Sequence, residues 1–273
     1  MQAASRAALA ESLEWLGQRT GSSPDPAALR EVSDGMFAAS DLLAREPGLR
    51  RALADPATPA EVRAQLLDGL LGQRLDPRPL SFLRGLVSSR WSTPSDLVEA
   101  VETVGQSALL IAAEAEGALD DVEDELFRFG RIVDREPALR SALTDPGVPV
   151  DRRLPLLHGL VEDRTRPDTV RLLDRVVTDP LGWSFDRALE QAVSLAARRR
   201  QELLAVVRVA AALTEQQVTR LSEALSRSRG QHVRVQVDVD PAVLGGAVVT
   251  IGDEVIDGSI ARRIDTVRRR LRR

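Results

Sequence analysis

The sequence has no cysteine, no tyrosine, no lysine and no asparagine. Without cysteine there is no disulfide, no thiolate nucleophile and no cysteine-bound zinc. All 37 basic residues are arginine. A Walker A lysine, a Schiff-base lysine and a pyridoxal-phosphate site are therefore excluded too. Arginine throughout, with asparagine also missing, fits a GC-rich genome. Aromatic residues are only 3% of the chain, so its cores must be built from Leu, Val and Ala, which suits helices packed on helices. The 43% of hydrophobic residues suffices for ordinary cores and speaks against global disorder. A length of 273 residues suggests one to three folding units.

A large excess of either charge is lacking as well. The formal net charge is −4, without the general basic footprint of a nucleic-acid binder. No run approaches the roughly 18 apolar residues that span a bilayer; residues 203–213 come closest, and Arg208 interrupts them. Met1 to Ser12 has no continuous apolar stretch of the kind a signal peptide needs. The expectation is a soluble, cytoplasmic protein.

What is present first is a repeat. Arg45-Glu46-Pro47-Gly48-Leu49-Arg50 returns ninety positions later as Arg135-Glu136-Pro137-Ala138-Leu139-Arg140, and residues 28–70 match 118–160 without a gap at 20 of 43 positions. Phe37 pairs with Phe127, Asp55-Pro56 with Asp145-Pro146, and Gly69-Leu70 with Gly159-Leu160. The segment was duplicated. In each copy the apolar residues recur at helical spacing: Leu29, Val32, Met36, Ala39 and Leu43, then Leu119, Val122, Leu126, Phe129 and Val133. Pro47 and Pro137 end those helices and start short ones. Further helices are expected at about 59–71, 78–90 and 95–117, and at 150–162, 168–178 and 184–201. The 95–117 helix is placed to close the first bundle and open the second.

Near residue 203 the period changes. Leu203 to Ala210 reads as a strand, and Thr214 to Arg229 as a helix with Thr214 and Gln217 forming an approximate capping box. Gly230 can end it. His232 to Val239 alternates valine with polar residues, the pattern of a half-buried strand. Gly246 to Ile251 is another strand, followed by a tight turn at Gly252-Asp253. The fold class is mainly α: two tandem related helical bundles, 1–112 and 113–201, then a small α/β domain, 202–273, ending in a basic helix.

From Val239 the chain runs Val-Asp-Pro-Ala-Val-Leu-Gly-Gly-Ala-Val-Val-Thr-Ile-Gly-Asp-Glu-Val-Ile-Asp-Gly-Ser. Asp240, Pro241, Leu244, Gly245, Gly246, Gly252, Asp253, Ile256, Asp257, Gly258 and Ser259 together resemble the signature of the F-type ATP synthase delta subunits, the oligomycin-sensitivity-conferring protein family. Leu213-Thr214-Glu215-Gln216-Gln217, with Leu221 and Leu225, is similar to that family's preceding helix. The resemblance implies a non-catalytic stator connector of the peripheral stalk that takes part in ATP synthesis and hydrogen ion transport. It would link the alpha subunits of the catalytic head to the b subunit. The implied partners are the alpha subunit's N-terminal helix and the b subunit's C-terminal segment, with no cofactor and no nucleic acid. The implied place is the cytoplasmic face of the plasma membrane, peripheral and held there only through the complex. The departure is the duplication, since one helical domain is usual. Longer forms of this kind resemble those of high-GC actinobacteria. Which copy would hold the alpha helix stays open.

The signature's own chemistry is structural. Gly245 and Gly246 allow backbone angles or close approaches that a Cβ would obstruct; Asp257 and Ser259 suit the cap of a final helix, with Gly258 between them. That helix would carry Ile260, Ile264, Val267 and Leu271 as an apolar docking stripe. Arg262, Arg263, Arg268, Arg269 and Arg270 fill its remaining surface, as a solvated face, as a contact for an acidic stalk helix, or as a loose attraction to anionic lipid. His158 and His232, the only histidines, fall in different units and read as structural. The acidic cluster Glu114, Glu116, Asp120, Asp121, Glu123, Asp124 and Glu125 reads as a solvated helix face, without the loop geometry of an oxygen-ligand metal site. Arg198-Arg199-Arg200 reads as a helix surface, and Trp15, Trp91 and Trp183 as packing anchors. No set of acid, base and nucleophile points to an enzyme. The competing class is a helical-repeat adaptor outside the ATP synthase, which explains the duplication but not the C-terminal signature.

Overall fold

The computed structural model describes residues 1–20, 24–179, 181–201, 203–229, 233–240, 243, 245–251 and 254–257. These fall into two compact units, one holding Met1–Thr20 and Pro24–Ala197, the other beginning at Arg198.

The first unit is helical: α1 (Ala3–Thr20), α2 (Pro26–Arg45), α3 (Pro47–Ala54), α4 (Ala60–Leu71), α5 (Pro77–Ser88), α6 (Pro94–Ala115), α7 (Leu119–Arg135), α8 (Pro137–Thr144), α9 (Val150–Val161), α10 (Pro167–Thr178) and α11 (Phe185–Gln201), the last running past Ala197. Proline opens α2, α3, α5, α6, α8 and α10, where its missing N–H costs nothing and its fixed φ already suits the helix. Asp25 caps α2 by accepting from Ala27 N, and Thr93 caps α6 by accepting from Asp96 N.

The duplication is visible in the contacts as well as the sequence. Helices α7 to α10 repeat α2 to α5. Arg63 donates to the Leu53 carbonyl at 3.3 Å, and Arg153 to the Leu143 carbonyl at 3.1 Å. Asp55 accepts from Ala57 N and Asp145 from Gly147 N, at 3.0 and 2.8 Å. Helix α6 belongs to both copies. It supplies Leu97, Val98, Val101 and Val104 to the first core, and Leu109, Leu110 and Ala113 to the second. It is apolar and buried nearly all round, as a helix with neighbours on every side must be.

Helix α1 was not among the elements expected. Ser5, Ala8 and Leu16 are buried, and Leu9, Leu13 and Trp15 pack against the first core; in sequence its apolar residues are scattered round the helix and mark no single stripe. A polar contact adds to that packing: the Ser5 hydroxyl donates to buried Asp96 at 2.7 Å and accepts from Ser92 N at 2.8 Å.

Close helix approach depends on particular glycines. A Cβ on Gly35 would lie 2.4 Å from Pro79 Cβ, whereas one on Gly69 or Gly159 would meet nothing within 4 Å. In a helix interior, alanine gains about 1 kcal/mol over glycine, while overpacking against a rigid ring costs about 1–3 kcal/mol. Gly35→Ala is therefore expected to lower stability, and Gly69→Ala and Gly159→Ala to raise it, as urea midpoints will show. A stabilising Gly35→Ala would mean that α2 and α5 separate freely.

In the second unit, β1 (Leu203–Val209), α12 (Glu215–Arg229), β2 (Val233–Val239), β3 (Ala247–Ile251) and β4 (Glu254–Asp257) build a sheet in the order β2-β1-β3-β4. β1 and β2 are parallel, with α12 between them in sequence; β3 pairs antiparallel with both β1 and β4. Ala205, Val207, Val233, Val235, Val249 and Ile251 are buried, packed against Leu213, Val218, Leu221 and Leu225. The capping box is present and reciprocal: Thr214 N donates to Gln217 Oε1 at 2.8 Å, and Gln217 N to Thr214 Oγ1 at 3.3 Å. Strand β4 was not foreseen. The expected helix end at Gly230 and turn at Gly252-Asp253 lie outside the described residues.

Candidate protein-interaction surfaces

The signature begins where β2 ends. Asp240 N donates to the Val209 carbonyl at 2.8 Å, tying the start of the motif to the end of β1. Arg208 lies beside both Asp238 and Asp240, at 3.4 and 4.0 Å. Gly245 and Gly246 take φ angles of 85° and 82°, the left-handed region that only glycine enters without strain. Asp257 closes β4 opposite Val248. Pro241, Gly252, Asp253, Gly258 and Ser259 lie outside the described residues. So do His232 and the docking candidates Ile260, Arg262, Arg263, Ile264, Val267 and Leu271.

Among the described residues no group of three or more His, Cys, Asp or Glu is arranged to hold a metal, and no helix is long and apolar enough to cross a membrane. His158 contacts Asp174 at 2.7 Å. Burial pushes the Asp174 carboxyl above its ordinary range despite that partner. Trp91 is buried and donates to the Leu86 carbonyl at 2.8 Å. Trp15 meets Phe82 edge-on with ring centres 4.6 Å apart, under the Arg19 guanidinium. Trp183 stacks beneath Arg187 at 4.1 Å.

In the acidic cluster Asp120, Asp121 and Asp124 are exposed, as a solvated face requires, but two members are tied into the structure. Glu116 accepts two hydrogen bonds from Arg30 at 2.8 Å, and this contact holds its carboxyl below the usual range. Glu125 accepts from Arg166 N and from the Thr169 hydroxyl. The Glu125 contacts lie within the second copy, but the Arg30–Glu116 contact belongs to an interlock between the copies. Arg30 on α2 also grips buried Asp168 on α10, at 2.8 and 2.7 Å. Hydrogen bonds to Asp168 and then Glu116 raise the Arg30 guanidinium's affinity for its proton. Further along, Asp34 faces Arg171 at 3.6 Å. Asp41 and buried Glu102 both hold Arg175, at 2.8 and 2.9 Å. The partners ascend together, 30 with 168, 34 with 171 and 41 with 175, so α2 and α10 run parallel.

Phe37 is the apolar centre of this interlock. It is 7% exposed, with the Arg175 guanidinium 4.6 Å above its ring, a cation–π contact. It presses on the backbone of α6: a Cβ on Gly105 would lie 2.7 Å from its ring. Helix α2 thus fills the groove between α6 and α10 of the second copy. Charges 86 to 138 residues apart leave no local signature, so sequence reasoning missed the interlock.

The sequence matches the family described as ATP synthase delta (OSCP) subunit over residues 106–271, from within α6 to near the C-terminus. It is 44% identical over 277 residues to the ATP synthase subunit delta of Frankia alni, covering 100% of both chains. To that of Streptomyces avermitilis it is 46% identical over 268 residues, covering 98% of this chain and 97% of the relative. A chain of the Toxoplasma gondii mitochondrial ATP synthase hexamer is 21% identical, with a TM-score of 0.28, over 62% of this chain and 95% of its own. The signature around Gly245-Gly246, the helical unit before it and the full-length matches agree: the chain belongs to the ATP synthase delta (OSCP) subunit family, a non-catalytic part of that complex.

Proposed function

We propose that the protein is the stator connector of an F-type ATP synthase. Its helical unit holds the N-terminal helix of an alpha subunit, and its C-terminal unit, from about residue 202, meets the C-terminal segment of the b subunit at the cytoplasmic face of the membrane. The head is thereby kept from turning with the rotor. What supports this is the full-length match to delta subunits, which leaves the separate-adaptor reading without support.

The interlock favours the first bundle, residues 1–112, over the second, 113–201, as the receiver of the alpha helix. In the second copy the groove between α6 and α10 already holds a helix of this chain. The corresponding groove in the first copy lies between α1 and α5. There Gly85 is exposed and Trp15 partly so, and among the described residues no helix takes the place that α2 takes on α6 and α10. A groove between amphipathic helices is a ready receiver for a third.

Titration calorimetry with the two partner segments tests this. Both are expected to bind the full chain with Kd values of roughly micromolar or tighter; neither binding would refute the function. Gly85→Glu is expected to weaken alpha binding about tenfold or more while leaving b binding intact, since a buried unpaired charge is costly. Truncation after Ser259, which removes Ile260, Arg262, Arg263, Ile264, Val267 and Leu271, is expected to do the reverse. Equal binding by all forms would reject both placements.

A further inference from the structure

The face that α2 uses to dock on α10 exists a second time. Ninety residues on, Arg30, Asp34, Phe37 and Asp41 become Asp120, Asp124, Phe127 and Arg131. These lie at helical spacing on one outward face of α7. Phe127 is the identical residue, yet it is 56% exposed where Phe37 is 7%. Arg131 lies 6.0 Å over the Phe127 ring, where Arg175 from another helix lies 4.6 Å over Phe37. Among the described residues Asp124 has only a solvent-exposed pairing with Arg128, one turn along, which is worth little.

We infer that this α7 face is the docking site for a single helix of a partner protein in the complex, laid parallel to α7 as α10 lies along α2. Charge matching fixes the partner's pattern. Opposite Asp120 and Asp124 it carries basic side chains, where α10 offers Asp168 and Arg171 to Arg30 and Asp34. Opposite Arg131 it carries a carboxylate, where α10 offers Arg175 to Asp41. The partner helix must also set a small residue against Phe127, a role that α6, and not α10, fills for Phe37 with Gly105. A buried aromatic anchor ringed by charge pairs is the usual centre of such a contact.

A second copy of this chain does not fit the pattern. By the same ninety-residue offset it would present Arg78 to Asp120, which matches. It would also present Ser81 to Asp124, Gly85 to Arg131, and Trp15 where Gly105 leaves room for the ring. That offers no acid for Arg131 and no slot for Phe127.

The inference rests on the chain being a subunit of the ATP synthase. Because the chain has no cysteine, Arg128→Cys gives it one selective label site, on an exposed residue one turn from Asp124 that leaves the Phe127 anchor in place. Maleimide labelling is compared between the free chain and the purified ATP synthase carrying the variant. Assembly is expected to slow labelling about tenfold or more, as in the dehydrated centre of an interface. Adding Asp120→Arg and Asp124→Arg is expected to restore the free-chain rate without dissociating the subunit. Equal rates in both forms would overturn the site, as would slow labelling in the free chain already, which would mean self-association or intramolecular cover. Protection indifferent to the charge reversals would overturn the basic partner helix. If the chain does not purify with the complex, the function fails and this inference falls with it; if it does and residue 128 stays open, only the inference fails.

Discussion

Arg175→Met is expected to destabilise the helical unit by about 3–5 kcal/mol, the usual result of stranding a buried charge. The Arg175 side chain is 8% exposed and that of Glu102 3%. Nε and Nη2 of Arg175 each donate to one Glu102 oxygen at 2.9 Å, and Nη2 also donates to Asp41 at 2.8 Å. Burial alone would lower the guanidinium's pKa; the hydrogen bonds and charges of Glu102 and Asp41 outweigh it and leave it raised. Without the arginine, Glu102 keeps only a 3.3 Å hydrogen bond from Gln106 in a place water does not reach. Asp41, at 27% exposure, can turn to solvent and contributes less to the loss.

The double variant Glu102→Leu with Arg175→Met separates two explanations. If the cost lies in the unpaired charge, removing both partners recovers most of it, because apolar replacements of buried pairs are often neutral or stabilising. The double-mutant cycle then shows a large interaction energy. If the double variant is as unstable as the single, the loss lies in the packing of the guanidinium on Phe37. Guanidinium unfolding followed by circular dichroism reads both. A single-variant loss below about 1 kcal/mol, the range of surface pairs, would mean that the interlock is effectively solvated.

The places where the sequence could be read, and where it could not, follow from the range of the interactions. Pro47 and Pro137 mark helix starts through local sterics, and Thr214 with Gln217 caps α12 within one turn; both act between near neighbours. The valines of β2 announce their strand by alternation, although Val239 at its end is exposed. Gly245 and Gly246 were legible as turn glycines because positive φ is a property of the residue itself. By contrast, the hold of Arg30 on Asp168 depends on which face of α10 is presented to α2, which no local pattern encodes. Glu116 and Glu125 looked like solvated charges for the same reason. Helix α1 escaped notice because buried Leu16 is joined on its inner face by Ser5 and Ala8, while other apolar residues lie round the helix and blur the stripe. The exposed face of α7 could be recognised only by comparison with α2, once the structure had shown what α2 does.

Leu109→Ala is expected to cost about 2–5 kcal/mol, as full truncation of a buried leucine does, and to weaken both bundles together. Leu109 is fully buried and faces the second core, but Val101 and Val104 of the same helix belong to the first. A helix that loses its packing on one side frays for both, so the two copies should unfold in one cooperative step. Amide exchange reads this directly. Protection in α3 and α4 of the first copy is expected to fall by about as much free energy as in α8 and α9 of the second, as within one cooperative unit. A loss confined to the second copy, or a thermal transition that splits in two, would show that α6 does not couple them. The distinction bears on the work of a stator subunit. Two bundles hinged at a loop would bend under load, whereas two that share a 22-residue helix, cross-braced by Arg30 and Arg175, can deform only by breaking buried ion pairs. A duplicated domain in a stator is mechanically useful only if its joint is as stiff as its parts, and equal losses of protection on the two sides of α6 are the sign of such a joint.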